Sequence, residues 1–131
     1  NIKAILKAER RGISPEGLLL SGGRYDAERM QNEWHQEHRL TASDAARDAA
    51  EKAAALLREN DPQGADLVLD AACYAEMAAL AAETKSGFLQ GYVRQLIDAA
   101  NLRTAVRAAR SGSSEVLPRA LLEGGSVSPT A

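Results

Sequence analysis

The sequence predicts an all-α protein, a piece of a longer chain built from repeated helical subdomains with long helices and short connecting ones. Three observations predict this. Alanine, leucine, glutamate and arginine dominate, while aromatics make up only 4% of the 131 residues, and these are good helix formers. Apolar side chains recur at helical spacing between breaks rich in Gly, Pro, Asn and Ser. Finally, the two ends repeat each other. NIKAILKAERRG at 1–12 returns as NLRTAVRAARSG at 101–112, and LLLSGG at 18–23 as ALLEGG at 120–125. Asn1, Ala8, Arg10 and Gly12 recur as Asn101, Ala108, Arg110 and Gly112, and the double glycine slips by two positions. Such a recurrence marks a duplicated subdomain. The chain then divides into the end of one repeat (1–38), a complete repeat (39–126) and a loose tail (127–131).

In chain order, residues 1–11 read as the last turns of a helix. Lys3, Lys7, Arg10 and Arg11 suit its negative end, and Gly12 supplies a left-handed stop. Ser14-Pro15-Glu16 predicts a restart into a short helix carrying Leu18, Leu19 and Leu20. Another helix is expected over 26–37. Thr41 with Asp44 resembles a capping box opening a helix to Arg58. The small residues of that helix (Ala45, Ala46, Ala49 and Ala53) would let a neighbour approach closely.

Asn60-Asp61-Pro62 ends that helix and begins the next, from 63 or 67 to 84, with Leu67, Leu69, Tyr74, Met77 and Ala81 as its buried stripe. Ser86-Gly87 breaks the chain. A long helix over 88–111 follows, with Leu89, Val93, Leu96, Ile97, Ala100, Ala105 and Val106 near one face and Gly112 as its stop. A short amphipathic helix over 115–122 precedes Gly124-Gly125.

Charge and cysteine content narrow the function. Sixteen basic and 18 acidic residues leave a net charge of -2, finely mixed, so no clustered basic footprint for nucleic acid appears. Cys73 is single, which rules out an internal disulfide and predicts a small packed apolar side chain. No apolar run nears the ~20 residues that span a bilayer.

His35 and His38, three apart with Glu33 and Glu37 beside them, could face one metal. They lack a third ligand and sit in a polar stretch, so no metal site is assigned. Asp98, Asn101 and Thr104 follow at spacings of three on the long helix, with Arg94, Arg103 and Arg107 nearby. One reading is an active site, with Asp98 as base and the arginines as an anion clamp. The other is a polar latch of Asp98, Asn101, Thr104 and Arg107 that fixes how the subdomain packs. Without a nucleophile or second acid the latch is favoured. The glycine loops lack the lysine and strand of a phosphate cradle. No cofactor and no direct nucleotide binding is expected.

The stretch from Leu69 to Gly112, with LLEGG at 121–125, resembles the C-type subunit of archaeal and bacterial V/A-type ATPases, whose eukaryotic counterpart is the d-type subunit. The likeness rests on Asp70 and Tyr74, a glycine break, then Ile97, Asp98, Asn101, Leu102, Thr104 and Arg107 before a Gly-Gly turn. NIKAILKAERRGISPEGLL at 1–19 is similar to another family segment, whereas 41–58 aligns little.

The resemblance implies three related helical subdomains, of which this chain is well under half. It also implies a non-catalytic central-stalk adaptor, cytoplasmic and peripheral to the membrane. Its partners would be the membrane proteolipid ring and the rotor shaft, and it would meet the membrane only through the ring. Contacts would fall near 14–25 and 114–126. Two other readings stay open: a helical scaffold unrelated to ATPases, and a metal-binding or enzymatic bundle using His35, His38 and Glu37 or Asp98.

Overall fold

A computed structural model describes residues 1–37, 40 and 42–130. Its helices are α1 (Ile2–Arg11), α2 (Ala27–Glu37), α3 (Asp44–Arg58), α4 (Pro62–Glu83), α5 (Gly87–Ser111) and α6 (Leu117–Ala120), with a 3₁₀ turn at Ser114–Val116 before α6. No strand occurs among the described residues, and the protein is all-α. The chain forms two compact units, Asn1–Leu69 and Asp70–Ala131, divided within α4.

In the first unit, α1 packs against α2 and α3. Ile5, Leu6 and Ala8 of α1, Met30 and Trp34 of α2 and the alanine face of α3 are all buried, with Ala53 fully inaccessible, and Leu6 lines one hollow with Trp34, Ala54 and Leu57. Small side chains on α3 permit this approach, and burial of one Leu contributes roughly 1.5–3 kcal/mol. Polar contacts fix the register of α1. Trp34 Nε1 donates to Glu9 Oε2 at 2.7 Å, and Lys7 Nζ meets Asp66 Oδ2 at 2.7 Å. Arg10 bonds Asn60, which turns the chain between α3 and α4 in a left-handed conformation.

The second unit is centred on Ala81, Val93 and Ile97, with Tyr74, Met77, Ala78 and Leu122 packed around them. Ser86 caps α5 by accepting from the Leu89 N–H at 3.3 Å. At the far end Gly112 adopts φ 66°, and its counterpart Gly12 adopts φ 65°. Ser113 and Ile13 then donate back to Ala108 and Ala8 at 3.0 and 3.1 Å. These are the helix stops expected of glycine.

Several expectations are corrected. No helix forms over 15–20. A single turn closed by Leu18 N–H on the Pro15 carbonyl stands there, with Gly17 at φ 79°, and a left-handed glycine cannot continue a helix. The cap of α3 is Ser43, which accepts from the Ala46 N–H; Thr41 lies outside the described residues. The helix expected over 115–122 is shortened to the 3₁₀ turn and α6, because Leu121 is extended at φ −75°, ψ 136°. Leu89 and Val106 are exposed rather than core-facing, as is Leu102 beside them. Cys73 is exposed too, about a quarter turn from the stripe of Tyr74, Met77, Ala78 and Ala81 on α4.

Candidate functional site

The repeated sequence folds into a repeated device. In each unit a helix ends at a left-handed glycine and the chain doubles back. An asparagine, capping that helix in the first unit and lying along it in the second, then holds the returning backbone. Asn1 Nδ2 donates to the Leu20 carbonyl at 2.8 Å, and the Leu20 N–H donates to Asn1 Oδ1 at 2.7 Å. Asn101 Nδ2 donates to the Leu122 carbonyl at 2.8 Å, and the Leu122 N–H donates to Asn101 Oδ1 at 2.8 Å.

A carboxamide is suited to this, because it offers a donor and an acceptor side by side. Two residues past each clamped leucine comes a glycine at nearly the same angle: Gly22 at φ 95° and Gly124 at φ 96°. The slip of the double glycine therefore falls in the return segment, and the clamp and its turn are kept.

Asp98 extends the device in the second unit. Its Oδ1 accepts from the Ser126 N–H at 2.8 Å. Hydrogen bonding from the Ser126 side chain, with the backbone N–H groups of Ser126 and Val127 and the charge of Arg94, holds this carboxyl below its ordinary range, against the opposing effect of partial desolvation. Gly125 lies directly under it, so that a Cβ there would collide with the Asp98 carboxylate. A Cβ on Gly124 would lie 3.3 Å from Ile97 Cδ1. The loop thus sits close on the helix because both of its glycines lack side chains.

Of the four residues singled out on α5, Asp98 and Asn101 reach the same returning segment. Thr104 is half-buried one turn on and Arg107 is exposed; neither makes a hydrogen bond to that segment among the described residues. His35 is exposed on α2, and His38 lies outside the described residues. No group of three metal-ligating side chains occurs among the described residues. Sequence reasoning misses Asn1 as a clamp, although its recurrence ahead of a double-glycine segment is the available signal. It also misses the Glu9–Trp34 bond, which has no sequence signature.

A family model described as ATP synthase (C/AC39) subunit matches residues 1–131. The chain belongs to that family. It is one of the V/A-type ATPase components, matching the C-type subunit and its d-type counterpart. No curated protein and no solved structure gives a match. Among the described residues, no helix of this ATPase component is long and apolar enough to cross a membrane.

Proposed function

We propose that the protein is a non-catalytic adaptor of the central stalk, coupling the rotor shaft to the membrane proteolipid ring for ATP-linked proton or sodium transport. On this reading it lies on the cytoplasmic side, binds no nucleotide or nucleic acid, and meets the membrane only through the ring. Family membership supplies the complex. The observation that carries the mechanical role is how the polar side chains of α5 are used. Asp98 and Asn101 spend their hydrogen-bonding capacity on backbone groups of one loop.

A carboxylate engaged by N–H donors, with its basicity lowered, is a poor general base. It is a good anchor. A torque-bearing body needs loops that do not yield, and a bidentate amide plus a buttressing carboxylate gives the 120–127 segment three fixed points. Asp98 and Asn101, with Thr104 and Arg107 further along the helix, form the latch of the second repeat; Asn1 serves the first. The repeats run 1–38 and 39–126 in this reading, and the loops at 14–25 and 114–126 are the contact surfaces.

The test is reconstitution of the complex with and without the full-length protein. With it, ATP hydrolysis should drive ion transport. Without it, hydrolysis should continue while transport is lost. Transport that persists unchanged in its absence would refute the coupling role.

A further inference from the structure

Leu102 and Val106 lie on the side of α5 away from Val93, Ile97 and Ala108. Those three are buried in the second unit, whereas Leu102 is 67% and Val106 42% exposed. The duplication gives this bare apolar side a counterpart within the same molecule. Leu102 repeats Ile2, Ala105 repeats Ile5, Val106 repeats Leu6 and Ala108 repeats Ala8. Ala8 and Ala108 are buried alike, on the side where each helix carries its asparagine clamp. The opposite side differs. On α1, Leu6 is only 2% exposed, Ile5 is buried and Ile2 is half-buried.

The first unit shows what covers that side. There α1 packs against α2 and α3, and Leu6 lines a hollow with Trp34 of α2 and with Ala54 and Leu57 of α3. Both helices follow α1 in the chain, after the clamped loop that ends at Gly22-Gly23. The second unit has the same helix end and the same clamped loop, and no helix follows that loop among the described residues. The bare side of α5 is thus the counterpart of a surface that the next two helices of the chain cover.

We propose that in the full-length protein the Leu102–Val106 side of α5 docks a helix pair of the same chain that follows residue 131, the next copies of α2 and α3. Consecutive repeats then interlock, each long helix being covered by the opening helices of the repeat after it. The duplication also specifies the chemistry of the contact. On α1 the Trp34 indole N–H donates to Glu9 at 2.7 Å. Ala109 stands where Glu9 stands and offers no side-chain acceptor, and a buried donor left unpaired is costly. The copy of α2 therefore presents an apolar side chain without a donor at the Trp34 position. The copy of α3 presents small residues, as Ala50, Ala53 and Ala54 do in the first unit. This inference rests on the duplication and not on the adaptor role.

The test uses isolated full-length protein with its cysteines replaced by serine. Val106→Cys and Leu102→Cys are each reacted with a maleimide, and Lys52→Cys, exposed on α3, is the reference. Both should react about tenfold or more slowly than the reference in buffer, and at the same rate as the reference in urea. Val106→Asp should lower Tm more than Lys52→Asp does. Labelling of Val106→Cys and Leu102→Cys as fast as the reference in buffer would overturn the proposal. So would protection confined to a dimer by sedimentation, which would make a second copy the occupant, or protection that arises only on adding ring or shaft. The first arm needs neither ring nor shaft, so its outcome is independent of the adaptor reading.

Discussion

Asn101 holds Leu122, 21 residues further on, by both its backbone N–H and its backbone carbonyl, with each donor–acceptor distance 2.8 Å. Asn1 and Leu20 repeat the relationship in the first unit. One side chain thereby satisfies a carbonyl and an N–H in a segment that has no secondary structure to satisfy them.

Removing the clamp should loosen the return loop. Asn101→Ala deletes two hydrogen bonds, each contributing about 0.5–1.5 kcal/mol net, so a loss of about 1–3 kcal/mol is expected in urea unfolding. Asn1→Ala should cost less, because its bonds are exposed whereas those of Asn101 are half-buried. Equal losses at both positions, or none at Asn101, would contradict this.

The Asp98 anchor should be pH-dependent in a stated direction. Its carboxyl is held below the ordinary range in the folded protein. Its contribution is therefore full above the unfolded value and lost as pH falls through the folded one. The amide shifts of Ser126 and Val127, followed by NMR, should stay constant from neutral pH through the ordinary carboxylate range and move only below it. In Asp98→Asn that step should be absent. A Ser126 amide titrating in the ordinary range would show that the anchor is not formed.

Three glycines should respond differently to alanine. Gly112 stands at φ 66°, so Gly112→Ala should cost about 1–2 kcal/mol from left-handed strain. Gly125→Ala must displace the Asp98 carboxylate, and should lower Tm and shift the Ser126 amide together. Gly91, inside α5 with open space around its Cβ position, should become about 0.5–1 kcal/mol more stable as alanine. Thermal denaturation of the three variants checks the order.

The helix α3 approaches α1 through small side chains, and Ala53 has no exposed surface. Ala53→Leu should therefore destabilise by about 1–3 kcal/mol through overpacking. Ala55→Leu, at an exposed position on the same helix, should be nearly neutral. Similar urea midpoints for the two variants would mean the α1–α3 packing is wrong.

The sequence made the helices legible because their stops are local. Gly12, Asn60-Asp61-Pro62, Ser86-Gly87 and Gly112 lie where the structure ends or begins a helix. It also made the duplication legible, and with it the pairing of Asn1 with Asn101. The helix expected over 15–20 was not legible as a turn, because Ser-Pro-Glu signals a restart while the outcome is set by Gly17 and by a clamp 19 residues away. The outward exposure of Leu102 and Val106 was hidden for a related reason: α5 has two apolar faces, and composition alone does not say which one the core takes. Within the candidate site, spacing drew attention to Asp98, Asn101, Thr104 and Arg107. It could not show that Asp98 and Asn101 reach one loop, because that loop returns from 21 to 28 residues downstream.

The adaptor reading is tested most directly by gel filtration of full-length protein with the solubilised proteolipid ring and, separately, with the shaft proteins. The account predicts stoichiometric co-elution with both, retained in Gly91→Ala and weakened in Asn101→Ala with Asp98→Asn. A folded full-length protein that elutes apart from both ring and shaft would contradict it.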